Sequence, residues 1–600
     1  MLQIGVVGKR ITACLVAVTG FAIAGSAVAS EHNIYIPADT PFYMGTGEGM
    51  PIKHVMAFQP VGAFSSTDGM GDDVREMLDS LSEVVSNLDK ILPKWGLQES
   101  IHFSTYSVGV YPVIRVNIDD PDKFNASLTA LEKEHDLKPG SLEREGFSIR
   151  YYGERSLSRA SGANEQSGDD NTKSDHATDN AGQDDGTERS SSVKMVPGII
   201  VATNDDDLII TLVSDTRDAE LVDRVLGITR PSKTIEQTGK LKTFRKRWGY
   251  DEHYAAFVDF EVVTDILTTD DSVAVKDIET LATDNQHQLE MLQVMRSEPC
   301  RSEIKSITDN WPQLVMGIKH FDVTADKLSY ISHVAAEVRH QKLLETLQLM
   351  RGVMPTSQSP DQPMFSVGLG LSVDKLTQVI GQMTNITSSL HYECPLLNKL
   401  NEATQADLGA ATMGVVMFSG LARGVEGISL NIFDLDIDAS DASDPVKGVD
   451  TAITVTAADP ATLVQTLQMM PQLAMLAELP LDGTEISLNA MLPVPMPPGV
   501  ELKAAVKENN IVLFSGGKAA DFIKRLGSNN EPGFFRTMVD TRKIIDKVTS
   551  AMNMLGQNSE EINAAMKYLE SYPKGTIDYN VDFTNNGIEL EATADVAVPE

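Results

Sequence analysis

The densest set of acids in the chain is Asp434, Asp436, Asp438, Asp441 and Asp444. Oxygen ligands at every second position are what a calcium loop supplies, but such a loop also needs a glycine at its sharp turn and a late bidentate glutamate. Ala439 and Pro445 occupy those places. Alternation along a strand puts Asp434, Asp436 and Asp438 on one solvent-facing side, so we read the cluster as a solvated strand edge running into a loop. His333 and His340, with Glu337 between them, lack the His-Glu-x-x-His spacing of a zinc-protease helix. Tyr330 to Val338 alternates like a strand, and His320 on the strand before it allows a surface histidine pair. Gly516-Gly517-Lys518 opens a helix whose amides could hold an anion. A phosphate loop would need glycine at Val512 and a hydroxyl residue at Ala519, so a tight strand-to-helix turn is the simpler reading. Ser419 and Ser515 lie near glycines without completing G-x-S-x-G. No catalytic, cofactor-binding or metal-ligating set is therefore expected.

Two further sets concern packing rather than catalysis. Cys300 and Cys394 are the cysteines left once the leader is removed, and an even pair in an exported chain reads as a disulfide. Cys300 falls after a helix expected over 273 to 296, and Cys394 after the first strand of the second half, so the bond would staple one half to the other. Met469, Met470, Met475, Met491 and Met496 could line an adaptable apolar groove, or pack a core together with Leu467, Leu473 and Leu476.

The elements that must position these residues follow from pattern. Lys9-Arg10, the apolar run Ile11 to Ala24, and Ala27-Val28-Ala29 before Ser30 form a signal peptide over residues 1–29. The expected location is outside the cytoplasm, periplasmic if the cell is Gram-negative, with no transmembrane segment after the leader is removed. Six hundred residues, 42% of them hydrophobic, exceed one core, and a net charge of -35 disfavours nucleic acid and anionic lipid as partners.

Internal repetition organises the rest. Pro197-Gly198 to Val225 and Pro498-Gly499 to Leu526 both read as a β-hairpin followed by a helix, aligning without a gap so that Asp207 falls on Glu508 and Ser214 on Ser515. A strand through Val108, Val110, Ile114, Val116 and Ile118, with Arg115, Asn117 and Asp119 on its solvent side, runs into Asp120-Pro121. Its counterpart is Val449 to Ala457 running into Asp459-Pro460, and each Asp-Pro pair caps a helix. The stretch His253 to Asp259 resembles Phe534 to Asp540. Each half then ends in a long hairpin, Leu314 to Val338 and Thr576 to Val596, the second turning at Asn585-Asn586-Gly587. Residues 154–192 are polar and acidic, a disordered insertion in the first copy only.

The expected fold is α+β, two diverged copies of one module of antiparallel hairpins with helices packed on one face. The first module spans 30–345, a joint 346–359, and the second module 360–600. The start Ile36-Pro37-Ala38-Asp39-Thr40-Pro41 with the following strand-Asp-Pro-helix units resembles a class of secreted bacterial proteins known as domains of unknown function. That resemblance implies an envelope location and carries over no functional residue. The expected function is a non-enzymatic binding or scaffold protein of the cell envelope, its partner an unknown protein or a hydrophobic ligand. The alternatives are an exported hydrolase with a site assembled from residues distant in sequence, and a carrier of a hydrophobic ligand.

Overall fold

The structure is a computed structural model that describes residues 32–46, 50–51, 88–97, 100–153, 198–270, 272–282, 286–324, 326–354, 362–438, 446–468, 479–489, 500–526, 531–555, 569 and 573–597. The leader at 1–29, the insertion at 154–192, Asp441, Asp444 and the five methionines named above lie outside the described residues. The chain is α+β, a mixture of helices and antiparallel strands.

In chain order the first strands are β1 (Phe42–Gly45), β2 (Phe103–Val108), β3 (Tyr111–Asn117), β4 (Gly140–Arg144), β5 (Phe147–Gly153), β6 (Gly198–Thr203) and β7 (Asp207–Val213). Then come β8 (Ala255–Asp259), β9 (Gln313–Val323), β10 (Lys327–Glu337), β11 (Phe365–Gly370), β12 (Val425–Ile437) and β13 (Val446–Ala457). The last are β14 (Ile486–Ser487), β15 (Lys503–Lys507), β16 (Asn510–Ser515), β17 (Phe535–Asp540), β18 (Lys574–Phe583) and β19 (Gly587–Ala597). The helices used below are α1 (Pro121–Glu134), α2 (Ala219–Leu226), α3 (Lys240–Trp248), α4 (Val273–Ala282), α5 (Gln286–Arg296), α6 (Glu298–Asn310), α7 (Gln341–Met350), α8 (Pro395–Leu421), α9 (Pro460–Gln468), α10 (Gly517–Arg525) and α11 (Thr541–Leu555).

Contacts divide the chain into two compact units, one built from residues up to Thr238, the other from Asp39–Glu48 and Gly239–Glu600. The first holds an antiparallel sheet in the order β2-β3-β7-β6-β5-β4. Asp120 caps α1 by accepting the Lys123 amide at 3.0 Å, and Pro121 occupies the first helical turn, where its missing N–H costs nothing. Phe124 and Leu128 form the buried stripe of that helix.

The second unit holds the antiparallel order β1-β8-β9-β10-β19-β18-β17-β11-β12-β13-β16-β15-β14. Its longest unbroken ladder among the described residues joins β10 and β19, from Lys327 against Ala597 to Glu337 against Gly587. Helix α10 covers one face of β12, β13 and β16, packing Ala519, Phe522, Ile523 and Leu526 on Phe433, Ala452, Val512 and Phe514. Helix α9 covers the other face at the same end, with Leu463 and Val464 on Ala457, Val506 and Ile511. Each buried Leu, Ile, Val or Phe side chain among these contributes about 1.5–3 kcal/mol.

Several local expectations change. The segment around Val108 to Asp119 is two strands, because Gly109 takes a φ of 64° and turns the chain between β2 and β3. Arg115, expected on the solvent side, is fully buried. The helix expected over 273 to 296 is α4 and α5, and Cys300 sits in the first turn of a further helix, α6. The repeated hairpins do not close alike. Thr203 faces Leu208 across a four-residue loop, whereas Lys507 faces Asn510 across Glu508-Asn509, with Glu508 at a φ of 51°. Asp207 therefore lies in strand β7 and Glu508 in a turn. The difference is two residues, a whole strand period, so every later side chain keeps its face.

Candidate binding surface

Asp434 pairs its carboxylate with Lys518 Nζ at 2.7 Å and Lys547 Nζ at 2.6 Å. Burial alone would raise its pKa, yet the two ammonium groups hold it below the usual carboxylate range. The amides opening α10 do hold an anion, and it is the Asp450 side chain, which accepts Ala519 N–H at 2.8 Å and Lys518 N–H at 3.1 Å. Gly516 makes this possible: at a φ of 92°, a Cβ there would come within 2.4 Å of the Asp450 carboxylate. The cleft beside these groups, about 630 Å³, is bordered by Asp436, Glu501 and Lys503 as well. Lys518 and Lys547 answer Asp434 there, and Ser515 at its edge is buried in strand β16. No hydrolytic constellation forms there among the described residues.

The histidines separate. His333 is buried, its Nδ1 bonded to Tyr250 Oη at 2.8 Å and its Nε2 to Glu589 at 3.0 Å, so no surface pair with His320 exists. Burial would raise the Glu589 carboxyl, but His333, Thr584 and Asn586 together hold it down at about 2. His340 caps α7, accepting the Leu343 amide at 3.0 Å. Glu337 is buried and answered by Arg247 at 2.7 Å, Arg339 at 3.0 Å and Gln313 at 2.5 Å. Among the described residues no group of three or more His, Cys, Asp or Glu stands ready to hold a metal.

Cys300 and Cys394 lie at disulfide distance, with Cα atoms 4.5 Å apart, both fully buried. Glu303, one turn along α6 from Cys300, accepts the amides of Glu393 and Cys394 at 2.8 and 3.0 Å. The pair thus fixes the segment that opens α8 against α6.

What sequence reading missed is a surface. Strand register places Met44, Ala256, Met316, Val334, Leu590, Val581, Phe535, Leu369, Ile428, Val455, Ile511 and Val506 side by side in one row across the sheet. Neighbouring rows add Leu314 beside Ala336 and Ile588, and Ile453 beside Leu430 and Val367. Helix α9 closes the Val506 end. Between the ends, Leu314, Met316, Leu590, Tyr579, Ile428 and Ile453 remain 36–45% exposed. Each strand alone shows only ordinary alternation, and the row exists only once the strands are ordered.

The opposite face of the same strands is polar or covered. Tyr250 packs over Gly317, where a Cβ would come within 2.4 Å of its ring. Further along, Arg536 grips Asp578 through its Nε at 3.0 Å, Arg351 meets Asp582 at 2.7 Å, and Lys319 meets Glu591 at 3.0 Å. Among the described residues no helix is long and apolar enough to cross a membrane. Comparison of the chain with protein-family models, with curated proteins and with solved structures returns no match.

Proposed function

We propose that the protein is an exported, non-enzymatic binding or scaffold protein of the cell envelope, and that its working surface is the open apolar face of the large sheet. The observation that carries this reading is the exposure of Leu314, Met316, Leu590, Tyr579, Ile428 and Ile453 along rows of otherwise apolar neighbours. Contiguous apolar patches beyond ~300–600 Å² are rare on monomers unless something docks there. Asp434, Ser515, His333, Glu337 and His340, by contrast, are each engaged in a cap, an ion pair or a core. Export rests on the leader pattern of residues 1–29 and on the paired Cys300 and Cys394.

We also read the chain as two diverged copies of one module. Parallel pairing supports this. Met44 faces Ala256 as Val367 faces Thr537, Val258 faces Leu314 as Val539 faces Ile577, and Leu314 faces Ala336 as Ile577 faces Ala594. Likewise Asn117 faces Asp207 as Thr456 faces Asn510. Under that equivalence β10 corresponds to β19, and an internal two-fold axis would fall at the His333 and Glu591 pair of their antiparallel ladder.

The test is mass spectrometry of lipids and proteins recovered with the mature chain from its own envelope, beside the variants Met316→Glu and Leu590→Glu. A companion present with the wild type and lost from both variants is the expected result. Identical recovery from all three would overturn the reading.

A further inference from the structure

We propose that the open apolar face seats a second copy of this chain, two large sheets packing face to face. The inference rests on the binding reading above and names its partner. Area is the first argument. The six exposed side chains and the half-covered Val334, Ala336, Val581, Phe535, Leu369, Leu430 and Val455 between them leave on the order of 600 Å² of apolar surface, close to the ~800 Å² per partner of a standard stable interface. Sheets meeting this way lie about 10 Å apart and interdigitate the side chains of their facing sides, which suits a broad, nearly flat patch better than it suits a small ligand.

Charge is the second argument. Each copy carries a net charge of -35, so association through any ordinary stretch of its surface is opposed by repulsion. On β9, β10, β19, β18, β17, β11, β12 and β13 the rows named above bring up Leu, Met, Val, Ile, Ala, Phe and Tyr, with Ser332, Thr537 and Thr451 as polar interruptions and no acid or base. The acids of the same strands, Asp578, Asp582, Glu589 and Glu591, alternate onto the other face. A neutral patch meets its own copy with no like-charge contact to avoid.

Symmetry is the third. A two-fold contact between copies buries the same patch on each, and under the two-copy reading the internal axis at His333 and Glu591 runs perpendicular to the sheet between β10 and β19, near the β9 end of that patch. Across β9, β10, β19 and β18 the two axes together repeat a favourable contact, so one good fit there is made more than once.

The experiment is sedimentation of the full mature chain from low to high micromolar concentration, at physiological and at high salt, with hydroxyl-radical footprinting of wild-type Met316 and Tyr579. A dimer that tightens with salt, protects both residues as it forms, and loses about tenfold or more in affinity in Met316→Glu or Leu590→Glu is expected. Leu142→Glu, exposed on β4, serves as the control and leaves the dimer intact. The footprint decides the matter even where a glutamate variant fails to fold. A chain that stays monomeric while its envelope companion is still lost in Met316→Glu overturns the dimer and leaves the binding reading standing. A dimer with Met316 and Tyr579 unprotected, or one indifferent to both glutamates, places the contact elsewhere and overturns the inference as well.

Discussion

Asp450, on strand β13, closes the N-terminus of helix α10, its carboxylate accepting the Ala519 amide at 2.8 Å. The acid comes from a different element than the helix it caps, so sheet register and helix position are tied by one side chain. Replacement of Asp450 by alanine is expected to cost about 1–2 kcal/mol, read as a lower midpoint in denaturant. Gly516→Ala acts on the same contact from the other side and adds left-handed strain, so the two effects are expected to be non-additive in a double-mutant cycle.

Arg115 and Asp207 are expected to show a larger effect. The buried guanidinium pairs with the Asp207 carboxylate, donates to the Leu226 carbonyl at 2.7 Å and stacks at 3.8 Å on the Tyr35 ring, while His32 meets the same carboxylate at 3.0 Å. Asp207→Ala strands a buried cation and is expected to destabilise by about 3–5 kcal/mol. In the proposed two-copy alignment Thr454 and Asn510 stand at these places in β13 and β16, where Asn510 accepts the Thr456 hydroxyl at 2.8 Å. The double variant Arg115→Thr with Asp207→Asn, which removes the buried cation together with its counter-charge, is expected to be more stable than Asp207→Ala alone in chemical denaturation.

Glu589 sets an acid dependence. Its folded pKa lies at about 2, below the ordinary 4.5, so the stability it contributes is fully present above that ordinary value and is lost as pH falls toward 2. The contribution is at most about 3 kcal/mol. Urea midpoints measured from pH 6 down to about 2 are expected to fall less steeply in Glu589→Gln than in wild type. Equal slopes would remove the assigned role.

Cys300 and Cys394 are expected to yield no reactive thiol when the mature chain is unfolded without reductant. Closing a loop with a sequence separation of 94 residues is worth roughly 4–5 kcal/mol in the chain-entropy model, so reduction is expected to lower the thermal midpoint markedly. Two titrated thiols would rule the bond out.

Much of the local fold was legible in the chain itself. The Asp120-Pro121 and Asp459-Pro460 pairs announce helix starts, and both aspartates cap them. The long hairpins β9-β10 and β18-β19 follow from alternation and from Asn585-Asn586-Gly587. These signals are local: a cap, a turn and a period-two pattern depend on residues within a few positions of one another. Arg115 was misread for the same reason. Alternation reports which side of a strand a residue takes, and it is silent on whether Asp207, ninety-two positions away, waits there to neutralise it.

The sequence by itself determined the class, antiparallel hairpins and helices in an α+β chain, the helix caps and the absence of a recognisable catalytic motif. Only the tertiary structure decided that Asp450 fills the amide nest of α10, that His333 is buried against Tyr250 and Glu589, and that apolar positions of many strands line up into one open face. Strand order and register are set by pairings between residues hundreds of positions apart. No short window of sequence contains both partners, and so neither the apolar row nor the charge it excludes can be read before the chain is folded.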